Sequence, residues 1–419
     1  MKSWKKLATA GLGLTLASTL LVACGGSKSS ESADSSSSAA SSSTIKLWVP
    51  TGGVDSYKDT VAKFEEESGY KVEIIDSEDS KAQENVKKDP SVAADVFAMP
   101  HDQLGQLVEA GVIQELPEQY ASEVAENNTD QAVVGAQYKG KTYAFPYGIE
   151  TQVLYYNKSK LTAEDVKSYE TITTKATFGQ TFKEMNAYIT GPLMLSVGNT
   201  LFGESGEDPK GTNWGNEAGV SVLKWIAEQN NNKGFVNLDA TNVISKFGDG
   251  SVAAIESGPW DFQAAQEAVG AENLGIAAYP TITIGGKTVQ QKAFMGVKLY
   301  AVNQAPSNGD TKRIAAAYKL GSAITNADSQ KNQFETRSVV PSNKEIQASD
   351  AVQSNELAQT VITMGSSSDY TVVMPKLSQI SVFWTEAAAI LSDTYNGKIA
   401  EADYLARLQQ FDQDIAAAE

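Results

Sequence analysis

Histidine and cysteine each occur once in the 419 residues, as His101 and Cys24. A zinc site needs several His or Cys ligands, so that donor set is missing. A serine triad would have to run through His101, whose acidic neighbour Asp102 is adjacent in sequence rather than set across a site. Outside catalysis His101 reads as a polar loop or cap residue. A single cysteine excludes an internal disulfide. After Val22 no apolar run reaches the roughly 18 residues of a membrane-spanning helix. No calcium-loop spacing occurs, and no cofactor is expected. Gly285-Gly286-Lys287-Thr288 ends like a phosphate loop, but Thr281 stands where that motif begins with glycine. The stretch from Ile282 to Val289 reads instead as a hairpin turning at Gly285-Gly286. Positive charge is also short, with 34 Lys and Arg against 51 Asp and Glu and a formal charge of −17. That argues against nucleic acid, which is bound through basic groups on phosphate. It argues equally against a ligand attracted by its own negative charge, and a neutral ligand fits best.

What is present begins with a leader. Lys2, Lys5 and Lys6 precede an uncharged apolar stretch from Leu7 to Val22, which ends in Leu21-Val22-Ala23-Cys24. This is the layout of a secretory signal peptide. Its last four residues match the lipobox of bacterial lipoproteins, which implies cleavage after Ala23 and a lipid on Cys24. The rival is an ordinary signal peptide that happens to end in cysteine. Loss of the three leader lysines takes the formal charge from −17 to −20. Residues 25–44 contain eleven serines and too little apolar surface to fold. They make a tether with a root-mean-square reach of about 25 Å. The expected division is therefore a signal peptide over 1–23, a lipidated cysteine and tether over 24–44, and a body from Ile45 to Glu419. The body is too long for one typical domain, so two lobes are expected.

Within the body, Ile45-Lys-Leu47-Trp-Val49 alternates as a strand ended by Pro50-Thr51-Gly52-Gly53. Tyr57, Val61 and Phe64 mark a helix stopped by Gly69. Tyr70, Val72 and Ile74 form a second strand, and a charged helical stretch runs through Lys88. Val96 to Met99 reads as a buried strand, and Leu104, Leu107 and Val108 as a helix ending at Gly111. Strand alternating with helix is the pattern of a parallel sheet covered on its faces. Ligands bind beyond the carboxyl ends of such strands, which singles out the loops after Val49 and Met99. Residues 142–157 read as extended chain with a crossing between lobes near Gly148 to Gln152. Residues 178–200 read as helical with a break at Gly191-Pro192, and Val220, Leu223 and Ile226 mark a further helix. Residues 311–328 and 385–419 also read as helical.

The stretch Phe247-Gly-Asp-Gly250-Ser-Val-Ala-Ala254-Ile255-Glu-Ser-Gly258-Pro259-Trp260 resembles the signature of family 1 extracellular solute-binding proteins. Other stretches are similar to the maltose and maltodextrin-binding members, chiefly the lipid-anchored ones of Gram-positive bacteria of the streptococcal type. They are Phe97-Ala-Met-Pro-His101-Asp102-Gln-Leu-Gly105, Tyr143-Ala-Phe-Pro146-Tyr-Gly-Ile-Glu150, Tyr155-Tyr-Asn157-Lys158, Ala187-Tyr188-Ile-Thr-Gly-Pro192-Leu193, Phe294-Met-Gly296-Val297, and Met374-Pro375 through Phe383-Trp384. They occur in the family's order and span nearly all of the body. The resemblance implies an α/β, two-lobed periplasmic-binding-protein-like fold of type II, with three hinge crossings near Gly148–Val153, Phe294–Tyr300 and Arg337–Asn343. One lobe would hold 45–148 and about 300–338, the other about 153–294 and 343–419. It implies a monomeric substrate-binding subunit, not an enzyme. Its partners would be a maltooligosaccharide held in the cleft, an ABC transporter permease pair served by a cytoplasmic ATPase, and the membrane through the lipid alone. Its place would be the extracellular face of the cell membrane.

The resemblance also carries a site. Asp102 and Glu150 match carboxylates that accept from sugar hydroxyls, and Tyr188, Trp260 and Trp384 match aromatics that stack on glucose rings. The chemistry suits a pyranose, whose C–H face packs on flat rings and whose hydroxyl rim is met best by ionised acceptors. Each has a structural rival: Asp102 as a helix cap, Glu150 as a hinge residue, Tyr188 as core, and Trp384 as the inward member of the pair with Phe383. Trp260, on a turn after Gly258-Pro259, is the least expected in a core. A glycosidase would use Asp102 and Glu150 as its pair, but nothing in the sequence enforces the required separation. Compared with the best-known enterobacterial member, an Asp-Lys pair is replaced by Thr51-Gly52-Gly53, a tryptophan by Met99, an arginine by Gln103, a glutamate by Asn186 and another arginine by Ala388. Polar clamps are lost while stacking rings stay, so longer chains should be preferred over maltose. The rival ligand is another oligosaccharide held by the same fold.

Overall fold

The alternation at the start of the body makes its first strand, Thr44–Pro50, in which Ile45, Leu47 and Val49 are fully buried on one side. The computed structural model describes residues 44–203 and 206–418. The leader, Cys24 and the tether as far as residue 43 lie outside the described residues. Helix Val54–Ser68 buries Tyr57, Val61 and Phe64. Gly69 ends it in the left-handed conformation, φ 74°, donating its N–H to the Glu65 carbonyl. Strands Lys71–Ser77 and Val96–Pro100 then flank the first strand in parallel.

The long strand Ala293–Val302 extends this sheet. It runs antiparallel to Val96–Pro100 on one edge and to Ala144–Thr151 on the other, and its first residues pair in parallel with Thr371–Val373. The result is a six-stranded sheet. A second sheet of five strands runs in the order Leu274–Ala277, Val153–Asn157, Ala254–Ser257, Phe178–Gln180, Phe235–Asn237. Only Gln152 separates Ala144–Thr151 of the first sheet from Val153–Asn157 of the second, so the chain passes between lobes there. A second link is the Ala293–Val302 strand, where Phe294 joins one buried apolar cluster and Met295 the other. Val340 lies beside the first of these links, where it bridges to Ile149. Burial of each Leu, Ile, Val or Phe side chain in these clusters contributes about 1.5–3 kcal/mol.

Three stretches differ from the sequence expectation. Residues 178–200 are not one broken helix: Phe178–Gln180 is a strand, followed by short helices Ala187–Thr190 and Pro192–Ser196. The strand is sandwiched between two others and buried on both faces, so it shows no alternation. Gly179 is there because a Cβ would lie 2.7 Å from Leu238 and 2.8 Å from Val252. Residues 311–328 are split, since Asn326 accepts from the Ser329 N–H and starts a new helix, Ala327–Arg337. The last helical region is likewise two helices, Ile380–Tyr395 and Tyr404–Ala417, with Gly397 at φ 68° between them. The hairpin has strands Thr281–Ile284 and Lys287–Gln290, with Gly285 and Gly286 at φ 59° and 75°. Two positive φ values in succession are what a tight two-residue turn requires. Among the described residues no helix is long and apolar enough to cross a membrane.

Candidate functional site

The turn His101–Gln103 follows strand Val96–Pro100 at its carboxyl end. His101 is fully buried. Its Nδ1 accepts the Val297 N–H at 3.0 Å, and its Nε2 lies 2.9 Å from the Met374 carbonyl. The backbone amide can only donate and the carbonyl can only accept, so the ring is neutral and carries its proton on Nε2. Burial pushes its pKa down to about 3, in agreement. His101 therefore ties this turn to the crossing strand and to the Met374-Pro375 segment, and so places its neighbour Asp102.

Asp102 is buried. Its Oδ2 accepts the indole N–H of Trp384 at 3.1 Å, while its Oδ1 has no hydrogen-bond partner. It does not cap the following helix Leu104–Glu109, which has no side-chain cap. Burial raises its pKa to about 6. Glu150 lies in the crossing strand opposite Gly296, where a Cβ would come within 3.1 Å of the Glu150 Cγ. Its Oε2 is 2.7 Å from Lys298 Nζ, and Lys298 is 3.6 Å from Asp79 Oδ2. Burial by itself would lower the Lys298 pKa, but the charges of Glu150 and Asp79 outweigh it and hold the ammonium above its ordinary value.

Three aromatic rings gather on the other wall. Tyr188 stacks on Phe294 at 5.9 Å and meets Trp384 at 6.3 Å and 66°, while Phe294 and Trp384 meet edge to face at 5.4 Å. The Tyr188 hydroxyl is buried without a partner, and burial holds its pKa well above the usual phenol range. Asn186 accepts the Tyr188 N–H at 2.9 Å and starts the short helix that carries the ring. Trp260 sits on the turn Pro259–Asp261, 48% exposed, with its ring 6.2 Å from Tyr188. Phe383 turns into the core, fully buried, and its neighbour Trp384 is half-buried.

Asp102, Glu150, Tyr188 and Trp384 all border one cavity of about 440 Å³. Trp260 does not border it but extends the aromatic wall beyond Tyr188. Sequence reasoning missed the amide side chains of the opposite wall. Gln103 donates to the Ser80 carbonyl at 2.6 Å and accepts the Gln83 N–H at 2.7 Å. Gln83 donates to Gln106, which donates to the Ser378 carbonyl at 2.8 Å. No periodicity marks these residues, since 79–88 is a charged stretch. Gln103 drew notice only as a departure from a relative.

A concave cavity with flat rings on one wall, an unpaired carboxylate oxygen on the other and an unpaired phenol beside them is the layout of a small-molecule site. Residues 59–360 match the family described as bacterial extracellular solute-binding protein. The chain belongs to this family. A maltodextrin-binding protein of L. casei BL23, solved without ligand, is 38% identical with a TM-score of 0.81, covering 90% of this chain and 99% of that one. A maltooligosaccharide ABC transporter solute-binding lipoprotein of Streptococcus pneumoniae is 29% identical over 414 residues, 93% of this chain and 92% of its own. A galactooligosaccharide-binding protein of Bacillus subtilis is 28% identical over 399 residues, 91% and 90% of the two chains. The streptococcal-type resemblance and the two-lobed fold read from the sequence are borne out. In this solute-binding protein Asp102 and Glu150 border the cavity with no lysine or arginine among its described lining residues, a balance that disfavours an anionic solute.

Proposed function

We propose that this chain is the substrate-binding lipoprotein of an ABC importer. It captures maltodextrins in the cleft between its lobes and delivers them to a membrane permease pair. The observation that carries the reading is the pairing of free acceptors with rings. Asp102 Oδ1 and the Tyr188 hydroxyl are buried and unpartnered beside the Tyr188 and Trp384 ring faces. A glucan supplies hydroxyls for the first and C–H faces for the second. The ligand contacts are assigned to Asp102, Glu150, Tyr188, Trp260 and Trp384, with Trp260 serving sugar units beyond the enclosed cavity. That extension supports a preference for longer chains over maltose. The lobes are assigned as 45–148 with about 300–338, and about 153–294 with 343–419, closing by a hinge motion. Acting by binding alone and without chemistry on the sugar, the protein works as a monomer. It is held at the extracellular face of the cell membrane by a lipid on Cys24.

A second reading keeps the fold and the role and changes the sugar. The galactooligosaccharide-binding relative is as similar as the maltooligosaccharide-binding one. Titration of the body with maltose, maltotriose, maltotetraose and a galactooligosaccharide, followed by tryptophan fluorescence, separates the two. Saturation by maltotetraose at micromolar ligand, about −8 kcal/mol, with weaker binding of maltose, is expected. Saturation by the galactosyl chain alone would replace the assignment. Mass spectrometry of protein extracted from membranes should find the acyl groups on Cys24.

A further inference from the structure

Lys298 is an unusual residue for its place. It lies inside the apolar crossing strand Ala293–Val302, with its side chain 19% exposed, and its charge is met by Glu150 at 2.7 Å and Asp79 at 3.6 Å. The three residues come from three elements: the two strands that pass between lobes, and the turn Asp79–Lys81 on the cleft wall. Tyr188 and Asp102, which border the cavity, and Tyr57, Tyr147 and Arg337 are the other titratable or charged groups that feel this network. Among these neighbours Lys298 is the ammonium that touches Glu150.

A buried ion pair is a poor source of stability, because desolvation of both charges consumes most of their attraction, and apolar residues of similar volume do as well. The network has a different consequence. Glu150 borders the cavity, and the ammonium 2.7 Å from its Oε2 fixes where its carboxylate oxygens sit. We infer that Lys298 is a positioning residue for ligand capture: by its 2.7 Å contact with Oε2 it holds the Glu150 carboxylate in place at the cavity. It touches no solute itself, since it does not border the cavity. The effect on affinity rests on the sugar-binding reading above. The effect on Glu150 does not.

The test is a double-mutant cycle of Lys298→Met and Glu150→Gln, with Lys298→Arg as the conservative variant, read in two ways. The first reading needs no ligand: carbon-13 NMR of Glu-labelled protein, with the Glu150 signal assigned by its loss in E150Q. In K298M the Glu150 carboxyl titrates about one pH unit or more above its wild-type position, and K298R restores it. The second is affinity for maltotetraose. K298M lowers it about tenfold or more at pH 7, the loss of one well-placed charge-assisted bond, and K298R recovers most of it. The double variant, which buries neither charge, folds and binds as weakly as E150Q alone. An unmoved Glu150 titration in K298M, or losses from K298M and E150Q that simply add, would overturn the inference. So would full maltotetraose affinity in K298M. If wild-type protein binds no glucan, the sugar assignment falls, and the carboxyl titration still decides the role of Lys298.

Discussion

The indole N–H of Trp384 donates to Asp102 Oδ2 at 3.1 Å, a bond between helix Ile380–Tyr395 and the turn His101–Gln103 on facing walls of the cleft. The same side chain offers its face to the cavity. Ring and N–H are therefore separable by mutation. Trp384→Phe keeps a stacking surface but leaves both oxygens of a buried carboxylate unpartnered, which costs about 1–3 kcal/mol of stability. Trp384→Ala removes the surface as well. Denaturant unfolding should show a loss in both variants, while titration with maltotetraose should show a much larger loss of affinity for Ala than for Phe. Equal affinities in the two variants would mean that the ring face carries no ligand.

Glu256 gives the second prediction. It is buried in the central strand Ala254–Ser257 of the second sheet, with Gln180 donating to one oxygen at 3.2 Å and Gln291 to the other at 2.6 Å, and burial raises its pKa to about 7. The folded state thus binds its proton more tightly than the unfolded chain does. Stability from this group is complete below about pH 4.5. It is lost as pH rises through about 7. Asp102 acts in the same direction up to about pH 6. His101, kept neutral by burial, acts oppositely, costing stability as pH falls below about 6.5. Because these terms overlap, the readable quantity is a difference. Glu256→Gln, which mimics the protonated form, should match wild type near pH 4.5 and exceed it at pH 8 by up to about 3 kcal/mol. Equal stabilities at both pH values would show that Glu256 is not protonated by folding.

Much of this architecture is legible in the residues because it rests on local rules. Strand Thr44–Pro50 alternates, helix Val54–Ser68 repeats its apolar face and stops at a glycine, and the Gly285-Gly286 turn needs positive φ. Each is written within a few consecutive residues. Asp102, Glu150, Tyr188 and Trp384 were picked out by resemblance, and the fold brings them to one cavity from four separate elements. Lys298 escaped notice because its meaning is not local. A lysine in an apolar strand carries no signal until its partners, far off in the chain, are folded against it. The glutamine wall escaped for the same reason: Gln83 and Gln106 meet each other, and Gln106 meets the Ser378 carbonyl, across breaks in sequence that no periodicity spans. Phe178–Gln180 was misread because a strand covered on both faces has no polar side to reveal its period.

Gly296 tests whether Glu150 needs its present place. It is paired with Glu150 in neighbouring strands, and a Cβ added there would sit 3.1 Å from the Glu150 Cγ and 3.3 Å from its Oε1. Its backbone is ordinary strand, so alanine brings no conformational strain. The consequence is that Glu150 must give way, with the Met374 Cε next at 3.4 Å. Gly296→Ala should fold with a stability loss of about 1–3 kcal/mol, the cost of overpacking a tight site. It should weaken maltotetraose binding severalfold, and calorimetry reads both. Full affinity in this variant would show that Glu150 works from the hinge rather than from the ligand side.

His101 offers the sharpest separation between building a site and belonging to it. Its ring does not line the ligand cavity and hydrogen-bonds the Val297 N–H and the Met374 carbonyl, yet those two atoms lie on a crossing strand and on the segment leading to Trp384. His101→Ala leaves both backbone groups buried and unsatisfied, and should cost about 2–4 kcal/mol in denaturant unfolding. His101→Gln keeps one acceptor and one donor on a similar reach, so it should recover part of that loss. Affinity should follow stability across the two variants, since Asp102 and Trp384 are placed through these bonds. A variant that unfolds as easily as Ala but binds maltotetraose at full strength would show that the turn carrying Asp102 is held by other contacts.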